Sequence, residues 1–478
     1  MTPSPSLHHT FNRLFPQWAE LRQIARETRT ELYVVGGSVR DALLCRPLAD
    51  LDMVCQAREM EYWENQIARL SGGHFFTLGK ERLITRRLVS GNFSFDLTPL
   101  EGDNLAADLQ RRDFTINAIA LGLHDDSFHD PHHGRQALEQ RQLLCVSPTS
   151  LSSDPLRILR AVRFVLTLDL QLPPETTRLM VDARSGLTDI AGERIGNELS
   201  MILARPHAAA GIRRLADTRA LDTLFPPLLS LRGLTQNEYH HADAFEHTLQ
   251  MMESLDDLCA NPPETIASPD QEQAIILRLA ALFHDAGKAL TKTVDPQTKK
   301  VHFYGHEQIS AHLAGTALRP LGLGKQTIAR VLRLIEHHLA PLLLSLGRPK
   351  AKAFRKLVFT LEDDLPLLAL MALADNLATR GKNFSQRQGK IEACVRELLN
   401  VYRQERKSFL KPLINGKDLL ALGMEPGPQM GVIIRAVHQR QINGECSSRA
   451  EALAWVRELL PPSTSTENQP AAKSPDLP

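Results

Sequence analysis

Two aspartates separated by one residue, Asp50 and Asp52, have a spacing that could do chemistry. They lie in the stretch DLDMV, which predicts a β-strand, and residues two apart in a strand point to the same face. Converging carboxylates repel each other unless a cation lies between them, and Mg²⁺ commonly joins carboxylates to nucleotide phosphates. The apolar run at residues 33–35 ends at Gly36 and Gly37, whose amides can approach a phosphate because no Cβ intervenes. The pattern predicts a Mg²⁺-dependent nucleotide site, although two solvated aspartates would explain such a pair standing alone.

A basic cluster at residues 108–120, DLQRRDFTINAIA, follows further along the chain. Arg111 and Arg112 precede Asp113, and Asn117 comes four residues later, one helical turn away on the same face. Arginines beside an acidic metal site suit a triphosphate, because a guanidinium binds phosphate oxygens through two hydrogen bonds. Solvated charges at the start of an amphipathic helix would explain the cluster if it were isolated.

The stretch DPLRILRAVRF at residues 154–164 predicts a helix with one basic face. Asp154 and Arg157 are three residues apart and would be neighbours on that face. A carboxylate beside a guanidinium offers an acceptor and a donor together, which recognition of a base edge requires. Arg160 and Arg163 extend the basic stripe, and we assign them to nucleotide binding as well. The structural alternative is an ion pair with two surface arginines.

Polar residues also interrupt strongly apolar helical segments in the second half of the chain. They are His247, His284, Asp285 and Asp375, with His306 and His337 as candidate fifth and sixth ligands. An unpaired charge in such a segment would be costly, so a partner is expected. Histidine and aspartate side chains that converge on a cation satisfy this need, and the set as a whole favours a metal site over isolated hydrogen-bonded histidines.

The composition narrows the function classes without choosing among them. The chain has 478 residues, 43% of them hydrophobic and 23% charged, and a net charge of +1, so any argument for nucleic-acid binding must be local. Residues 348–411 supply one, with 14 Lys and Arg against 7 Asp and Glu, although a solvated helical face is an equal explanation. The six cysteines form no CxxC pair, which argues against a zinc ribbon and favours a cytoplasmic location. Neither a secretory signal nor a membrane span is expected.

Six motifs in order resemble the bacterial tRNA nucleotidyltransferase and poly(A) polymerase family. They are GGSVRD from residue 36, DLD from 50, RRDFTINAIA from 111, DPxxG from 130, DPLRILRAVRF from 154 and ERI from 193. The resemblance implies that Asp50 and Asp52 are catalytic and hold Mg²⁺, and that the partners are the tRNA 3′ end, ATP and CTP. It also implies a nucleotide-binding set with three roles. Gly36, Gly37 and Arg40 hold the triphosphate. Arg112, Asp113 and Asn117 hold sugar and phosphate, and Asp154 and Arg157 select the base.

The histidine and aspartate set at about residues 239–380 resembles the HD phosphohydrolase superfamily. That resemblance implies a divalent transition metal or Mg²⁺ at this second site. In tRNA nucleotidyltransferases such a domain is associated with phosphatase and 2′,3′-cyclic phosphodiesterase activity.

The chain departs from the family at Ser153, where a glutamate usually precedes Asp154. We predict that Ser153 caps the following helix, because its hydroxyl can accept from an unpaired backbone amide. Arg157 would then be oriented by Asp154 alone.

The predicted fold class is α+β, with a small mixed-sheet nucleotidyltransferase head followed by an all-helical neck, an HD domain and a helical tail. The predicted regions are an N-terminal helix (1–30), the head (31–150), a neck with the base-selecting helix (151–235), the HD-type metal domain (236–380), an RNA-binding tail (381–460) and a disordered end (461–478).

The function expected from these features is template-independent addition or repair of the 3′-terminal CCA of tRNA. The alternatives are a poly(A) polymerase, an enzyme that adds only C or only A, and an HD phosphohydrolase whose head only binds RNA. The intact pair of Asp50 and Asp52 argues against the last alternative, and the sequence leaves the oligomeric state open.

Overall fold

The computed structural model describes residues 5–78, 85–91, 93–102, 104–236, 242–347, 349–379, 384–409 and 412–460. These residues form the α+β fold that the sequence predicted, with a mixed sheet near the N-terminus and helices thereafter. The tail expected to be disordered, 461–478, lies outside them. Within the described ranges, no helix combines the length and the apolar character needed to cross a membrane.

The head is built on a sheet whose strands, among the described residues, run in the order β3-β4-β5-β2-β1-β6-β7. Strands β2 and β5 are parallel, and the other neighbouring pairs are antiparallel. The elements are α1 (Pro5–Leu14), α2 (Trp18–Thr28), β1 (Leu32–Val35), α3 (Gly37–Leu43), β2 (Asp50–Cys55), a 3-10 turn (Ala57–Glu59), α4 (Met60–Ser71), β3 (Phe75–Leu78), β4 (Thr85–Ser90), β5 (Phe93–Pro99), α5 (Leu105–Gln110), a second 3-10 turn (Thr115–Asn117), β6 (Ala120–Gly122), β7 (Phe128–His129) and α6 (Gly134–Glu139).

The N-terminal region, predicted as one helix, consists of the two helices α1 and α2. Their buried side chains include Phe11, Phe15 and Trp18, and the Phe15 ring meets the edge of Phe95 on β5 with centroids 5.0 Å apart. The two helices therefore belong to the hydrophobic core of the head.

The neck is all-helical, as predicted. Its elements are α7 (Ser150–Ser153), α8 (Arg157–Leu168), α9 (Pro174–Ala183), a 3-10 segment (Arg184–Asp189), α10 (Gly192–Leu203), α11 (Ala208–Asp217), α12 (Ala220–Leu224) and α13 (Pro226–Leu229). Helix α8 buries Ile158, Leu159 and Val162 and turns its arginines toward the head.

The metal domain and the tail follow. Their elements are α14 (Ala244–Ala260), α15 (Gln271–Phe283), α16 (Lys288–Thr291), β8 (Thr293–Val294), β9 (Val301–His302), α17 (His306–Leu318), a 3-10 turn (Arg319–Leu321), α18 (Lys325–His337), α19 (Ala340–Leu346), α20 (Ala351–Leu361), a 3-10 turn (Glu362–Asp364), α21 (Leu365–Ala378), α22 (Phe384–Phe409), α23 (Gly416–Ala421), α24 (Pro428–Ile442) and α25 (Arg449–Leu459).

The hairpin formed by β8 and β9 was not predicted from the sequence. Asp295 stabilises its turn by accepting hydrogen bonds from the amides of Gln297 and Thr298 at 2.9 and 2.7 Å. Each strand has only two residues, which is too short for alternating hydrophobicity to be recognised.

The neck and the metal domain meet at two glycines of α10. A Cβ on Gly192 would overlap the carbonyl oxygen of Pro320, and a Cβ on Gly196 would overlap that of Leu321. The backbone of α10 can therefore lie directly against the 3-10 turn Arg319–Leu321.

Candidate functional sites

The turn between β1 and α3 brings the backbone close to the aspartates of β2. Gly36 has a φ of 63°, and a Cβ there would lie 2.7 Å from Nη1 of Arg112. A Cβ on Gly37 would lie 3.4 Å from Oδ2 of Asp52. The two glycines thus allow the N-terminus of α3 to approach both a guanidinium and a carboxylate.

Asp50 and Asp52 project from one face of β2, and the intervening Leu51 is buried on the other face, as the alternation predicted. Asp96 on β5 lies opposite Asp52 in the parallel register and adds a third carboxylate. Burial, followed by the charges of Asp50 and Asp96, raises the pKa of Asp52 to about 7. Crowded carboxylates whose ionisation is suppressed in this way fit a divalent cation, which would offset the repulsion.

Asp96 was not predicted as a site residue. It lies in the largely apolar stretch FSFDLTPL at residues 93–100, and a charged residue in that stretch was the available signal. Arg87 on β4 donates to it, with Nε 2.6 Å from Oδ1.

The predicted phosphate and sugar residues form one hydrogen-bonded network. Arg40 Nη1 donates to Asn117 Oδ1 at 2.6 Å, and Asn117 Nδ2 donates to Asp113 Oδ1 at 2.9 Å. Arg112 is held by Asp108, whose Oδ2 lies 2.8 Å from Nη2. The helix expected through this cluster does not form, because the chain bends into the 3-10 turn Thr115–Asn117, which nevertheless brings Asp113 and Asn117 together.

Two of the arginines of α8, Arg160 and Arg163, are paired with buried carboxylates. Arg160 contacts Asp113 Oδ2 through Nε and Nη2 at 3.0 and 2.7 Å, and Arg163 Nε lies 2.7 Å from Oε2 of Glu198 on α10. Burial would raise the pKa of Asp113, but the charge of Arg160 and the hydrogen bonds from Asn117, Arg160 and a backbone amide lower it overall. Asp113 is therefore an anion that fixes α8 against the head.

The structure corrects the predicted contacts around Ser153. Ser153 closes α7, and its hydroxyl donates to the carbonyl oxygen of Ser150 at 3.0 Å instead of capping α8. Asp154 precedes α8 and pairs with Arg194 at 3.1 Å, not with Arg157. The pairing predicted from spacing fails because α8 begins only at Arg157, so Asp154 is not on a helix face.

Arg157 donates to backbone carbonyl oxygens. Its Nη2 lies 2.8 Å from the oxygen of Arg111, and its Nη1 lies 3.3 Å from that of Arg112 and 3.1 Å from that of Ser150. Arg194, in the ERI motif, donates to Asp154 at this edge of the site.

A single cavity of about 730 Å³ brings these residues together. Its lining includes Gly36, Gly37, Arg40, Asp50, Asp52, Asp96, Arg112, Asp113, Asn117, Asp154, Arg157, Arg160, Arg163 and Arg194. The cavity is lined both by carboxylates from β2 and β5 and by arginines from α3, α8 and α10. Such a site suits a metal-bound polyphosphate.

A second cluster lies among the helices of the metal domain. His247 on α14 has its Nε2 3.0 Å from Oδ1 of Asp375 on α21, and His284 follows α15 with its Nε2 3.1 Å from Oδ2 of Asp285. Burial would raise the pKa of Asp285, but the charges of His284 and Lys288 and hydrogen bonds from two histidines hold it well below its usual range. His247, His284 and Asp375 have ligand atoms within 4.8 Å of one another.

Asp285, His306 and His338 form a second such group beside the first. Nε2 of His306 lies 3.2 Å from Oδ1 of Asp285 and 3.3 Å from Nε2 of His338. The predicted ligand His337 is wrong by one residue. Consecutive residues in a helix point about 100° apart, so only one of this pair can face the cluster, and that residue is His338. Burial, together with the charges of His284 and His306, lowers the pKa of His338 to about 3, so its imidazole is neutral near pH 7.

Three histidines are oriented as metal ligands usually are. Nδ1 of His284, His306 and His338 lies 2.8, 2.7 and 2.7 Å from the carbonyl oxygens of Ala281, Phe303 and Ile335. A proton on Nδ1 leaves the lone pair of Nε2 directed to the cluster, which is the usual arrangement for a metal-bound histidine. The donor set of imidazoles and carboxylates fits a divalent metal.

Together, the fold and the two sites define a nucleotidyltransferase head joined to a metal-binding helical domain. Comparisons with protein-family models agree: "Poly A polymerase head domain" matches residues 32–104 and 96–144, and "HD domain" matches 244–380. "Probable RNA and SrmB- binding site of polymerase A" matches 169–231, and a tRNA nucleotidyltransferase domain 2 model matches 370–456.

The chain belongs to the tRNA nucleotidyltransferase family. It is 35% identical over 430 residues to an A-adding tRNA nucleotidyltransferase of Deinococcus radiodurans, covering 89% of this chain and 94% of that one. It is 34% identical to a CC-adding tRNA nucleotidyltransferase of Thermus thermophilus, covering 90% and 94%. A multifunctional CCA protein of Xylella fastidiosa is 36% identical over 289 residues, covering 58% and 66%.

Solved structures share the fold. A CCA-adding enzyme in complex with ATP superposes with a TM-score of 0.62 at 22% identity, covering 98% of this chain and 97% of that one. A Thermotoga maritima CCA-adding enzyme in complex with tRNA gives 0.59 at 22% identity, covering 94% and 97%.

Proposed function

We propose that this protein adds nucleotides of the 3′-terminal CCA to tRNA, without a template, from CTP and ATP. The observation that carries the proposal is the convergence of the carboxylates of β2 with a row of arginines on one cavity large enough for a nucleoside triphosphate. Relatives that match over 94% of their length are named for addition to tRNA, which supports tRNA as the acceptor.

The same comparison favours a second candidate, an enzyme that adds only part of CCA. The two relatives described at 94% coverage are named A-adding and CC-adding, whereas the multifunctional CCA protein is covered over only 66% of its length. A poly(A) polymerase is less well supported, because none of these three relatives carries that name.

Asp50 and Asp52 would hold Mg²⁺, with Asp96 beside them. Bound there, Mg²⁺ would lower the pKa of the RNA 3′-hydroxyl and stabilise charge on the α-phosphate and the departing pyrophosphate. Gly36 and Gly37 would present backbone amides to the triphosphate.

The remaining residues of the cavity would bind and select the nucleotide. Arg40 would contact the triphosphate, and Arg112 with Asn117 would contact sugar and phosphate. Asp154 and Arg157 would read the base edge, and Arg194, not Arg157, would hold the Asp154 carboxylate in place. Arg160 and Arg163 are paired with buried carboxylates, so we propose that they hold α8 in place beneath the nucleotide.

One experiment separates full from partial addition. The purified protein is incubated with tRNAs that end before the first C, before the second C or before the terminal A, with each nucleotide supplied separately. A CCA-adding enzyme extends all three, a CC-adding enzyme stops before A, and an A-adding enzyme extends only the last. Unlimited addition of A to any RNA would indicate a poly(A) polymerase instead.

We further propose that the metal domain hydrolyses phosphate esters. Its six ligands form two adjacent groups of three, and Asp285 of one group lies beside the other. This arrangement suits two divalent metal ions, either a transition metal or Mg²⁺. Lys288, with Nζ 2.6 Å from Asp285 Oδ2, lines the same cavity and would contact the phosphate.

The boundaries predicted for the neck, metal domain and RNA-binding tail remain proposals. The basic residues of 348–411 support RNA binding by the tail. We also propose a cytoplasmic location, because all six cysteines, each in the described part of the chain, are free thiols.

A further inference from the structure

The cavity beside the metal cluster contains an aromatic surface that hydrolysis of a phosphate does not itself need. Its volume is about 230 Å³. Its lining includes the ligands Asp285, His306 and His338 together with Phe303, Leu342, His302 and Tyr304. A small phosphate ester without an aromatic group would leave these last two side chains unused.

Tyr304 is the most exposed large apolar or aromatic side chain in the described part of the chain, at 76%. Its ring lies nearly parallel to that of His302, with an interplanar angle of 9° and centroids 5.1 Å apart. The tyrosine hydroxyl oxygen and His302 Nδ1 are 3.2 Å apart, within hydrogen-bonding distance. The exposed ring is therefore supported in one orientation.

The hairpin fixes this pair of rings next to the metal ligands. His302 is the last residue of β9 and is paired with Thr293 of β8. Tyr304 precedes His306 by two residues, so their Cα atoms are at most about 7 Å apart. Both side chains line the same cavity, which brings the aromatic ring and the metal ligands into one binding site.

We propose that Tyr304, supported by His302, stacks on the base of a nucleotide whose phosphate lies at the metal ligands. The new element is the contact between this ring and the base of a nucleotide, free or at an RNA end, and the inference rests on the proposed hydrolytic function of this domain. Aromatic rings stack on every base, so the platform gives a preference for nucleotides over other phosphate esters and little choice among bases.

The test compares two substrates that differ only in the base: 2′,3′-cyclic AMP and the 2′,3′-cyclic phosphate of 1-O-methylribose. Tyr304→Ala is expected to raise the KM for cyclic AMP about 5- to 100-fold, the usual effect of removing one stacking partner. The KM for the baseless substrate and both kcat values are expected to stay unchanged. Tyr304→Phe should keep most of the wild-type preference for cyclic AMP, because it retains the ring and its parallel contact with His302 and loses only the hydroxyl contact. Leu290→Ala is the matched control, because Leu290 is 72% exposed in the same domain and lies outside the cavity lining.

Two outcomes would overturn the proposed stacking of Tyr304 on the base while leaving the hydrolytic function intact. They are equal KM values for both substrates in the wild type, and an equal effect of Tyr304→Ala on both. If the wild type hydrolyses neither substrate, the hydrolytic function fails, and calorimetric binding of 3′-AMP then tests whether Tyr304 stacks on the base. A Kd weakened by Tyr304→Ala and retained by Tyr304→Phe supports stacking, because any binding of 3′-AMP to the head is the same in both variants. An unchanged Kd refutes stacking.

Discussion

Ser153 Oγ and Arg157 Nη1 donate hydrogen bonds to the same acceptor, the backbone carbonyl oxygen of Ser150, at 3.0 and 3.1 Å. The guanidinium of Arg157 also donates to the carbonyl oxygens of Arg111 and Arg112. Backbone acceptors therefore orient this arginine, and a carboxylate at position 153 is not required for that purpose.

Arg157→Ala is expected to lose most addition of both CTP and ATP. The substitution removes charged hydrogen bonds worth roughly 1–3 kcal/mol each, and it also removes a donor proposed to read the base. The measurement is kcat/KM for each of the four nucleotides, with Arg141→Ala as control because Arg141 pairs with Asp169 at the exposed surface. Normal discrimination among the four nucleotides in Arg157→Ala would remove the base-reading role.

Ser153→Glu is expected to be tolerated, because the side chain lies near the surface and beside a guanidinium. If the orientation of Arg157 limits selection, the added carboxylate should sharpen the preference for C or A over U and G. Ser153→Ala should be nearly neutral, since it removes one neutral hydrogen bond and leaves Ser150 as an acceptor for Arg157. Loss of addition in both variants would mean that the hydroxyl itself is needed.

Replacing Asp50 or Asp52 by Ala should abolish nucleotide addition while tRNA still binds, because the proposed metal ligands are distinct from the basic surfaces. Primer-extension rates and a gel-shift assay measure the two properties. Glu139→Ala serves as control, since Glu139 is an exposed acidic residue of the head that pairs with Arg135. Addition at near the wild-type rate in either variant would exclude the metal role.

The raised pKa of Asp52 predicts how the stability of the metal-free head depends on pH. The folded group has a pKa of about 7, above its ordinary value of 3.8, so between these values the folded chain binds more protons than the unfolded chain. The free energy of unfolding should therefore fall as pH rises from about 4 to about 7. Asp52→Asn should remove this loss and stabilise the chain by roughly 1–4 kcal/mol above pH 7, with no gain below pH 4.

Denaturant unfolding with a chelator present, at pH 4 and pH 8, measures the effect. Asp169→Asn, in a side chain that is 88% exposed, provides the control. Equal stability of the wild type and Asp52→Asn at pH 8 would show that the carboxylate is not suppressed.

The metal domain is expected to bind two divalent ions. His338→Ala and His306→Ala should each reduce the bound metal from two equivalents to one, whereas the adjacent His337→Ala should keep both. Metal analysis after dialysis gives the stoichiometry without relying on activity. One equivalent in the wild type would show that the six residues form a single site.

Nucleotide addition is expected to be independent of this second site. Asp285→Asn should remove hydrolysis of 2′,3′-cyclic nucleotides and leave the rate of addition within about twofold, because distant sites without shared partners behave additively. A comparable loss of both activities would mean that the domains act as one catalytic unit.

Predictions from sequence patterns were most reliable where local backbone geometry determines which side chains lie together. The alternation in β2 placed Asp50 and Asp52 together, and the apolar context of the surrounding helical segments found His247, His284 and Asp375. Asp96 was missed because its contact with Asp52 depends on parallel pairing between strands that are distant in sequence. The error at His337 has another cause, since the rotation at the end of a helix is set by packing and shifts the inward residue by one position.

The cap predicted for Ser153 failed for a related reason. The sequence indicates that a helix follows Asp154, but α8 begins only at Arg157. The start of that helix depends on contacts with the head, such as those of Arg157 with the carbonyl oxygens of Arg111 and Arg112. Likewise, Arg194 could be recognised as the partner of Asp154 only after α10 had been placed beside α8.

The glycines of α10 make the head and neck hard to shorten into a minimal enzyme. In the full chain, Gly192→Ala or Gly196→Ala drives a methyl group into the backbone of Pro320 or Leu321. In a fragment ending before the metal domain, that obstacle is gone, and Gly196, inside α10, leaves the exposed helix about 1 kcal/mol weaker than alanine would. Gly196→Ala should therefore weaken the whole protein and strengthen the fragment, so a metal domain can be removed from this scaffold only if the helix that it leaves behind is rebuilt.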